Sequence, residues 1–470
     1  LTRLYPGVPV IVGGIEASLR RLTHYDYWQD RLRPSFLVES GADLLTYGMG
    51  DRVIVEIART LHNGFNLKRL SRLGQVAYLS DRVPEGALLL HSYEECVESP
   101  EKFGENFTHI ETESNKIEAQ VLVEKTGDRY VVVNPPYPYL TEAEIDHSFD
   151  LPYTRLPHPR YNGKGAISAY EMIKHSVNMH RGCFGGCSFC TISAHQGKFI
   201  SSRSEASILR EVEQITQMAD FRGNLSDIGG PSANMYRMAG RNRAACAKCS
   251  RPSCIFPKVC PNLNNDHRPL LELYRKIRGM KGIRHAYIGS GIRYDLFDDS
   301  PYLDEVVKYH TSGRLKVAPE HTSDRVLALM RKPSFRLFEQ LNERFRNICS
   351  REGLPYQLIP YFISSHPGCT EADMKQLAEI TRRLHFRLEQ VQDLTPTPMT
   401  LSSVMFYTGM NPYTGEKLYV ARTREEKERQ KAYFFWYKKP AADGSRPASG
   451  PKRRHERPWQ NTNKTRKPRK

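Results

Sequence analysis

Short apolar runs that end in glycine alternate along this chain with longer stretches whose apolar residues recur at helical spacing. Near the start, residues 10–14 form an apolar run closed by two glycines, and residues 15–22 follow with a short helical pattern. The same order repeats in residues 41–48 and 51–62. Strand, helix, strand and helix joined by glycine turns are typical of a parallel α/β unit.

The next hundred residues are less regular. Residues 121–124 and 129–134 are rich in valine and flank a Thr-Gly-Asp turn, so a β-hairpin is predicted there. Residues 134–139 hold three prolines and predict an extended loop. We therefore expect residues 65–164 to be an insertion or linker region that leads into the main domain.

From residue 165 the alternation of strand and helix becomes regular. Four of the predicted strands lie at residues 225–230, 285–291, 315–320 and 356–363. Repeated βα units predict a barrel or partial barrel, in which functional sites collect at the carboxyl ends of the strands. Gly229, Ser290 and Glu320 fall at those ends.

Composition places the chain among globular proteins. Its 470 residues are 39% hydrophobic and 26% charged, which suits two or three domains with cores of their own. It has no run of about 18 apolar residues and no signal peptide, so neither a membrane span nor secretion is predicted. The chain opens at Leu1 with a sequence typical of the middle of a domain, so we expect a preceding segment to be missing.

The net charge of +17 raises nucleic acid as a partner, but the charge is unevenly distributed. Residues 441–470 carry ten Lys and Arg against two acidic residues, a balance of +8. Because this segment lacks apolar periodicity, we expect a disordered, solvating tail, with phosphate binding as the alternative. Residues 411–440 predict a charged helix that ends in aromatic residues. We expect these aromatic residues to dock the helix on the body of the protein.

The segment richest in chemical information is Arg-Gly-Cys-Phe-Gly-Gly-Cys-Ser-Phe-Cys, which places Cys183, Cys187 and Cys190 in a C-x3-C-x2-C array. Its glycines let the backbone bend around a small inorganic group. Thiolates are the ligands of iron–sulfur clusters, and three of them leave one iron of a four-iron cluster open for chemistry. The alternatives are a redox loop, or a four-ligand zinc site completed by His180 or His195.

A second set of cysteines lies within residues 241–262. Its four thiols, with the spacing C-x2-C-x4-C-x5-C, are Cys246, Cys249, Cys254 and Cys260. Neighbouring Lys and Arg favour thiolates and three prolines disfavour a regular helix, so a bound metal is predicted to order the segment. Zinc and a saturated auxiliary iron–sulfur cluster both remain open, and labile disulfides or free thiols are the alternative without metal.

Seven of the ten cysteines therefore lie in two tight sets. This usage is unlike that of a secreted disulfide scaffold and favours metal binding in a reducing compartment, so we expect a cytoplasmic protein.

The first array resembles the signature of the radical S-adenosylmethionine (SAM) enzymes, C-x3-C-x-aromatic-C, with Phe189 in the aromatic position. The resemblance implies a 4Fe–4S cluster on Cys183, Cys187 and Cys190 whose open iron binds SAM. It further implies that an electron, from a donor such as flavodoxin or ferredoxin, cleaves SAM to methionine and a 5′-deoxyadenosyl radical. That radical abstracts hydrogen from a substrate.

Later segments extend the resemblance in the order found in radical SAM proteins. Gly229 and Gly230 stand where a paired-glycine motif contacts the amino group of SAM, although Pro231 replaces a frequent Glu. Glu320 stands where a carboxylate faces the ribose or the amino acid part of SAM, and residues 367–370 resemble the strand end P-G-x-T.

Residues 290–295 and 318–322, taken with the second cysteine set, are similar to the YgiQ family of radical SAM proteins, a resemblance that implies the cofactor but no substrate. The amino-terminal unit resembles the second half of a Rossmann-like, cobalamin-binding domain. Cobalamin itself is not predicted, because the histidine motif that binds it would lie upstream.

The predicted fold is α/β, a partial (βα) barrel of radical SAM type preceded by part of a Rossmann-like domain. Its segments are residues 1–64 (Rossmann-like half), 65–164 (insertion or linker), 165–410 (barrel, with the cysteine-rich insertion at 241–262), 411–440 (charged helix) and 441–470 (basic tail). The predicted function is that of a radical SAM enzyme with an unknown substrate. The alternatives are a non-catalytic, metal-stabilised nucleic-acid-binding protein and a radical SAM enzyme that modifies RNA.

Overall fold

The computed structural model describes residues 4–64, 66–297 and 301–438. Its amino-terminal unit is built on a mixed six-stranded sheet. In spatial order the strands are Ile11–Val12, Leu44–Thr46, Val76–Ser80, Arg129–Val133, Leu122–Thr126 and Leu88–Leu89. The first two strands pair in parallel, as predicted, and the predicted hairpin turns at Gly127 with φ 57°.

The sheet crosses the boundary predicted after residue 64. Val76–Ser80 pairs in antiparallel fashion with Leu44–Thr46 on one side and with Arg129–Val133 on the other, so the hairpin belongs to the amino-terminal unit. Apolar periodicity marks a strand but not its partner, because pairing depends on packing between distant segments.

Helices and one small hairpin complete this unit. The helices are Gly14–Leu19, Phe36–Ser40, Asp51–His62, Leu67–Leu70, Tyr93–Glu98, Pro100–Ser114 and Glu142–Phe149, and the hairpin strands are His24–Asp26 and Arg31–Arg33. Asp51–His62 has the bounds predicted from its apolar spacing, and it buries Val53 and Ile57. The six-stranded sheet thus joins the predicted amino-terminal half-domain to much of the region predicted as an insertion or linker.

The main unit holds two hydrogen-bonded sets of parallel strands. The first set is Ser176–Asn178, Asp227–Gly229, Asn224–Leu225 and His285–Ala286, and the second is Arg314–Glu320, Gln357–Ser364 and Gln390–Asp393. Parallel strands need crossover connections, which helices supply here. These helices are Glu205–Thr216, Arg268–Gly279, Tyr302–Tyr309, Asp324–Leu329, Phe335–Glu352 and Glu371–Arg383. The α/β class is confirmed, and closure into a partial barrel stays a prediction.

Both strand sets contribute to one hydrophobic core, in which Ile228 and Phe362 have no exposed surface. The helices pack on this core along their apolar faces. Ser204 is the N-cap of Glu205–Thr216, since its Oγ accepts a hydrogen bond from Ser207 N at 3.1 Å. The core therefore holds the strand ends, and the loops that follow them, in fixed positions.

Smaller elements surround the cysteine segments. They are the helices Ser168–Ile173, Ile192–Gln196 and Arg243–Ala247, the paired strands His180–Arg181 and Ser201–Ser202, and the paired strands Ala239–Gly240 and Leu263–Asn264. Within the described part of the chain, no helix has the length and apolar character needed to cross a membrane.

The carboxyl end of the described chain returns to the core. After Leu401–Thr408, the charged helix Arg424–Ala432 begins at a capping box formed by Thr423 and Glu426. Phe434 then lies fully buried in the main core, which confirms that the aromatic residues dock this helix on the body. The predicted basic tail, residues 441–470, lies outside the described residues.

Candidate functional site

The first cysteine loop follows the parallel strand Ser176–Asn178, on the side of the fold where βα proteins place their sites. The loop depends on two glycines in the left-handed region, Gly182 with φ 88° and Gly186 with φ 61°. A methyl group at Gly182 would overlap the carbonyl oxygen of Phe199, and one at Gly186 would overlap that of Pro252. Glycine is therefore required at both positions to fold the loop tightly.

A buried cation faces the thiols of this loop. Arg293 Nη1 donates to Cys187 Sγ at 3.1 Å, and the guanidinium is held by Asp295 through Nε at 2.9 Å and Nη2 at 2.5 Å. Arg293 is only 8% exposed. A fixed cation beside a sulfur stabilises the thiolate, which is the form that binds metal.

Burial controls the protonation of two thiols of this loop. Burial raises the pKa of the Cys183 thiol, and Arg293 opposes that rise. Burial also raises the pKa of Cys190 to about 12, with further contributions from Cys187 and Cys183. Because thiols bind metals as thiolates, a metal group at this loop has to displace protons.

The described residues contain no group of three or more Cys, His, Asp or Glu side chains that converges on a single metal ion. In a four-iron cluster each thiolate binds a different iron. The two histidines of the zinc alternative differ in their contacts. His180 packs against Gly230 with neither ring nitrogen hydrogen-bonded, and His195 Nδ1 lies 3.0 Å from Ser18 Oγ.

The predicted SAM residues Gly229 and Gly230 lie at the carboxyl end of the strand Asp227–Gly229. A methyl group at Gly229 would lie 2.5 Å from Ser290 Oγ, and one at Gly230 would overlap the ring of His180. Close packing thus gives both glycines a structural role in addition to the predicted ligand contact.

Glu320 ends the strand Arg314–Glu320 in a strained conformation, with φ 69°. Glu320 is 5% exposed, its Oε1 lies 3.7 Å from Lys332 Nζ, and its Oε2 has no hydrogen-bond partner among the described residues. Burial raises the pKa of this carboxyl group, and the charge of Glu320 contributes to the raised pKa of the Cys190 thiol. Buried carboxylate oxygens are normally hydrogen-bonded, so the unpartnered Oε2 is an acceptor that a donor group of a ligand could use.

Phe189 and Ser188 anchor the end of the cysteine loop. The Phe189 ring meets the His366 ring edge-on, with centroids 6.4 Å apart. Ser188 Oγ lies 3.2 Å from His366 Nε2 and 2.9 Å from Ser402 Oγ, and all three residues are buried. This polar network joins the loop to the strand end after Gln357–Ser364 and to the helix Leu401–Thr408.

The second cysteine set gathers around one buried lysine. Lys198 is 2% exposed, and its Nζ lies 3.8 Å from Cys249 Sγ and donates to the backbone carbonyls of Cys249 and Arg251. Burial raises the pKa of Cys254 to about 11; Lys198 opposes this shift, whereas the other three thiols of the set add to it. All ten cysteines are free thiols, so the structure has no disulfide here.

The two cysteine segments touch each other through their backbones. Cys254 N donates to the carbonyl oxygen of Phe184 at 3.0 Å, and Ser253 Oγ lies 3.4 Å from the same oxygen. Gly186 also lies so close to the Pro252 carbonyl that a Cβ atom at Gly186 would overlap the carbonyl oxygen. The sequence separates the two sets by more than fifty residues, whereas the fold makes them neighbours.

Arg293 lies in a segment that carries the family resemblance, but the sequence predicted no role for this residue or for Lys198. The spacing Arg-x-Asp in residues 293–295 was the available signal for the first, since it permits a local ion pair. No sequence signal marks Lys198, because its thiol and carbonyl partners lie about fifty residues further along the chain.

Comparison with known proteins identifies the family. The family model described as "Radical SAM N-terminal" matches residues 1–176, and a domain of unknown function, DUF3362, matches residues 389–442. A UPF0313 protein of Porphyromonas gingivalis is 59% identical over 459 residues, which are 94% of this chain and 72% of the relative. The chain belongs to the UPF0313 family. This family is the YgiQ-like family of radical SAM proteins, as the sequence resemblance predicted.

Other UPF0313 proteins match over a similar span. The protein of Bacteroides thetaiotaomicron is 55% identical, with 93% of this chain and 75% of the relative covered. Among solved structures, a radical SAM methyltransferase, TsrM, from Kitasatospora setae with cobalamin and a 4Fe–4S cluster bound matches with a TM-score of 0.47 and 14% identity. That match covers 84% of this chain and 59% of the other.

Proposed function

We propose that this UPF0313 protein is a radical SAM enzyme in which Cys183, Cys187 and Cys190 hold a 4Fe–4S cluster. The observation that carries the proposal is the gathering of three thiols on one tight loop, with Arg293 donating to Cys187. When bound, such a cluster supplies the electron that cleaves SAM reductively and so begins radical chemistry on a substrate.

In this proposal the side chains around the loop control charge. A cluster on three thiolates concentrates negative charge, and Arg293 lies where it offsets part of that charge. Asp295 keeps the guanidinium in place through two hydrogen bonds. Both residues are buried, so solvent screens their interactions little and the charge arrangement is rigid.

We assign the contacts with SAM to the strand ends beside the loop. Glu320 Oε2, buried and without a hydrogen-bond partner, suits a hydroxyl or ammonium donor of SAM. The assigned residues are Phe189, Gly229, Gly230 and Glu320. A reductase partner such as flavodoxin or ferredoxin would deliver the electron.

We further propose that Cys246, Cys249, Cys254 and Cys260 hold a second metal group, either zinc or an auxiliary iron–sulfur cluster. Among the described residues these thiols do not converge on a single ion, so the bound group would have to draw them together. Support comes from the electrostatic effect of the other three thiols on Cys254 and from the buried charge of Lys198. The Nζ of this lysine contacts two backbone carbonyls, the Cys249 thiol and the Phe199 ring. A thiolate-bound metal group carries negative charge, so it would compensate that lysine.

Metal analysis of anaerobically purified protein tests both assignments. We expect about four irons per chain from the first site, with matching acid-labile sulfide. Replacing Cys183, Cys187 and Cys190 by alanine should remove that iron, whereas replacing the four cysteines of the second set should remove the second metal. Cys349→Ala is the matched control, because Cys349 lies buried in the helix Phe335–Glu352.

With a strong reductant and SAM, the wild-type protein should release 5′-deoxyadenosine, and the Cys187→Ala variant should release none. Iron that is unchanged in the triple variant would contradict the cluster assignment. Zinc without iron would favour the rival function, a metal-stabilised nucleic-acid-binding protein. A modified RNA nucleoside that disappears in deletion cells would identify RNA as the substrate class.

A further inference from the structure

A cavity of about 130 Å³ lies between the amino-terminal unit and the segment that follows the first cysteine loop. Its walls include Arg21 and Tyr47 from the amino-terminal unit, and Phe199 beyond the loop. The volume is comparable to that of an engineered cavity, about 150 Å³, that admits benzene. The cavity thus has room for a small ring rather than for water alone.

The wall of this cavity is strongly basic. Of its lining residues in the described chain, five are Lys or Arg and one, Glu113, is acidic. Three of the five cations already have carboxylate partners: Arg52 with Glu144 at 2.5 Å, Lys116 with Glu113 at 2.6 Å, and Arg181 with Asp51. Lys198 instead faces carbonyl groups and the Cys249 thiol.

Arg21 is the exception that points to a ligand. It is 3% exposed, and its Nη1 donates to Ser18 O at 2.7 Å and its Nη2 to Ser114 Oγ at 3.2 Å. Its Nε has no hydrogen-bond partner, and none of the ion pairs among the described residues involves it. Burial lowers the pKa of Arg21, and Tyr47 opposes that shift.

The chemistry of such a ligand follows from the guanidinium and the rings around it. A guanidinium binds carboxylate and phosphate oxygens better than other groups, because its planar fork matches their geometry. The Tyr47 ring centroid lies 4.7 Å from Arg21 Cζ. Tyr139 stacks on Phe199 with ring centroids 5.5 Å apart. Aromatic walls of this kind favour a planar ring.

We propose that this cavity binds a small planar organic acid whose carboxylate or phosphate pairs with Arg21. The acid would lie next to the first cysteine loop. Ser193 and Ala194 line this cavity and also a smaller one of about 40 Å³ that reaches Cys187 and Cys190. Binding of the acid requires neither the cluster nor SAM, so it is tested apart from the proposed activity.

Ligand-observed NMR and calorimetry on the full chain, purified anaerobically at physiological salt, test the proposal. The probes are benzoate, phenyl phosphate and the neutral analogue benzamide. We expect at least one acid to bind, and benzamide to bind about tenfold more weakly or not at all, because the neutral amide cannot form a charge-assisted hydrogen bond with the guanidinium. The acid that binds with the higher affinity shows whether Arg21 prefers a carboxylate or a phosphate group.

Variants separate Arg21 from the general positive charge of the wall. Arg21→Met should weaken binding of the acid about tenfold or more. Arg21→Lys should keep part of it. Arg52→Gln is the matched control, because Arg52 lines the same cavity but is already paired, and it should change affinity less than about threefold.

Thermal unfolding completes the test. Removal of a buried, uncompensated charge should leave the Tm of Arg21→Met no lower than that of the wild type. The proposal is overturned if neither acid binds, if benzamide binds equally well, or if Arg21→Met binds the acids unchanged. A large fall in Tm for both Arg21 variants would assign Arg21 to the fold instead and would also overturn it.

Discussion

At the scale of single residues, the interior around the first cysteine loop is held by charges that the fold removes from water. Arg293 and Asp295 are nearly inaccessible, and each is the other's counter-ion. Such a pair contributes little net stability, but the loss of one partner leaves an uncompensated charge in the interior. The pair is therefore better understood as a device that fixes the guanidinium beside Cys187.

We expect Arg293→Met to lower the free energy of unfolding by about 3 kcal/mol, because Asp295 is left as a buried, unpaired carboxylate. Asp295→Asn should be destabilising for the complementary reason. The double variant should be less destabilised than the sum of the two. Urea unfolding measures all three, and a double variant that shows the full sum would mean that the two charges are not coupled.

A second buried carboxyl group makes stability depend on pH. Glu124 has no exposed surface and accepts hydrogen bonds from Thr23 N at 3.0 Å and Thr23 Oγ1 at 2.8 Å. Burial raises the pKa of Glu124 to about 7, and the hydrogen bonds from Thr23 oppose part of the rise. The folded chain therefore holds a proton that the unfolded chain releases near pH 4.3.

The stability from this proton is fully present below about pH 4.3 and is lost as the pH rises through about 7. Relative to Glu124→Gln, which cannot ionise, the wild-type protein should lose up to roughly 3 kcal/mol between pH 4.5 and 8. Urea unfolding at several pH values measures the difference. Glu85→Gln, at an exposed position, is the control, and parallel pH profiles for wild type and Glu124→Gln would contradict the assignment.

At the scale of elements, the two cysteine segments act as one packed unit. Gly186 of the first segment lies directly against Pro252 of the second, and Cys254 donates to the backbone of Phe184. A change in the backbone of one segment should therefore displace the other, because a shift of either backbone breaks the hydrogen bond between them.

Gly186→Ala tests this coupling. The added methyl group would overlap the carbonyl oxygen of Pro252, and φ 61° is unfavourable for alanine by about 1–2 kcal/mol. We expect lower metal content at both cysteine sets and a lower Tm. Gly279→Ala, at a helix end with open space around it, should leave both unchanged. Full metal content in Gly186→Ala would show that the segments are independent.

At the scale of the whole molecule, the carboxyl end of the described chain closes the main core. Phe434 fills a fully buried position, Trp436 Nε1 donates to Thr381 Oγ1 at 3.2 Å, and Tyr437 OH donates to Leu388 O at 2.8 Å. These contacts reach the helix Glu371–Arg383 and the chain just before the last parallel strand. The segment is thus part of the folded body and not an appendage.

We expect Phe434→Ala to lower the free energy of unfolding by about 3–5 kcal/mol, because it removes a large buried ring and leaves a cavity. Trp28→Ala is the control, since Trp28 is 82% exposed and its loss should change stability by about 0.5 kcal/mol or less. Denaturant unfolding measures both. Equal stabilities for the two variants would show that the carboxyl end does not support the core.

The sequence by itself determined the features that depend on near neighbours. The bounds of the helix Asp51–His62 followed from apolar spacing, and the hairpin around Gly127 followed from two valine-rich runs and a turn. The three-cysteine array and its aromatic residue indicated a radical SAM protein, and residues 290–295 and 318–322 with the second cysteine set indicated the family that the relatives show. Spacing within ten residues survives folding, because local backbone geometry fixes which side chains share a face or a loop.

Only the tertiary structure decided what distant segments do together. It joined the strand Val76–Ser80 to an amino-terminal sheet, although the sequence predicted a linker there. It brought Arg293 to Cys187 across 106 positions and left Arg21 without a counter-ion beside a cavity. These outcomes depend on packing, burial and charge compensation among residues far apart in the chain, and no local pattern encodes which of them will meet.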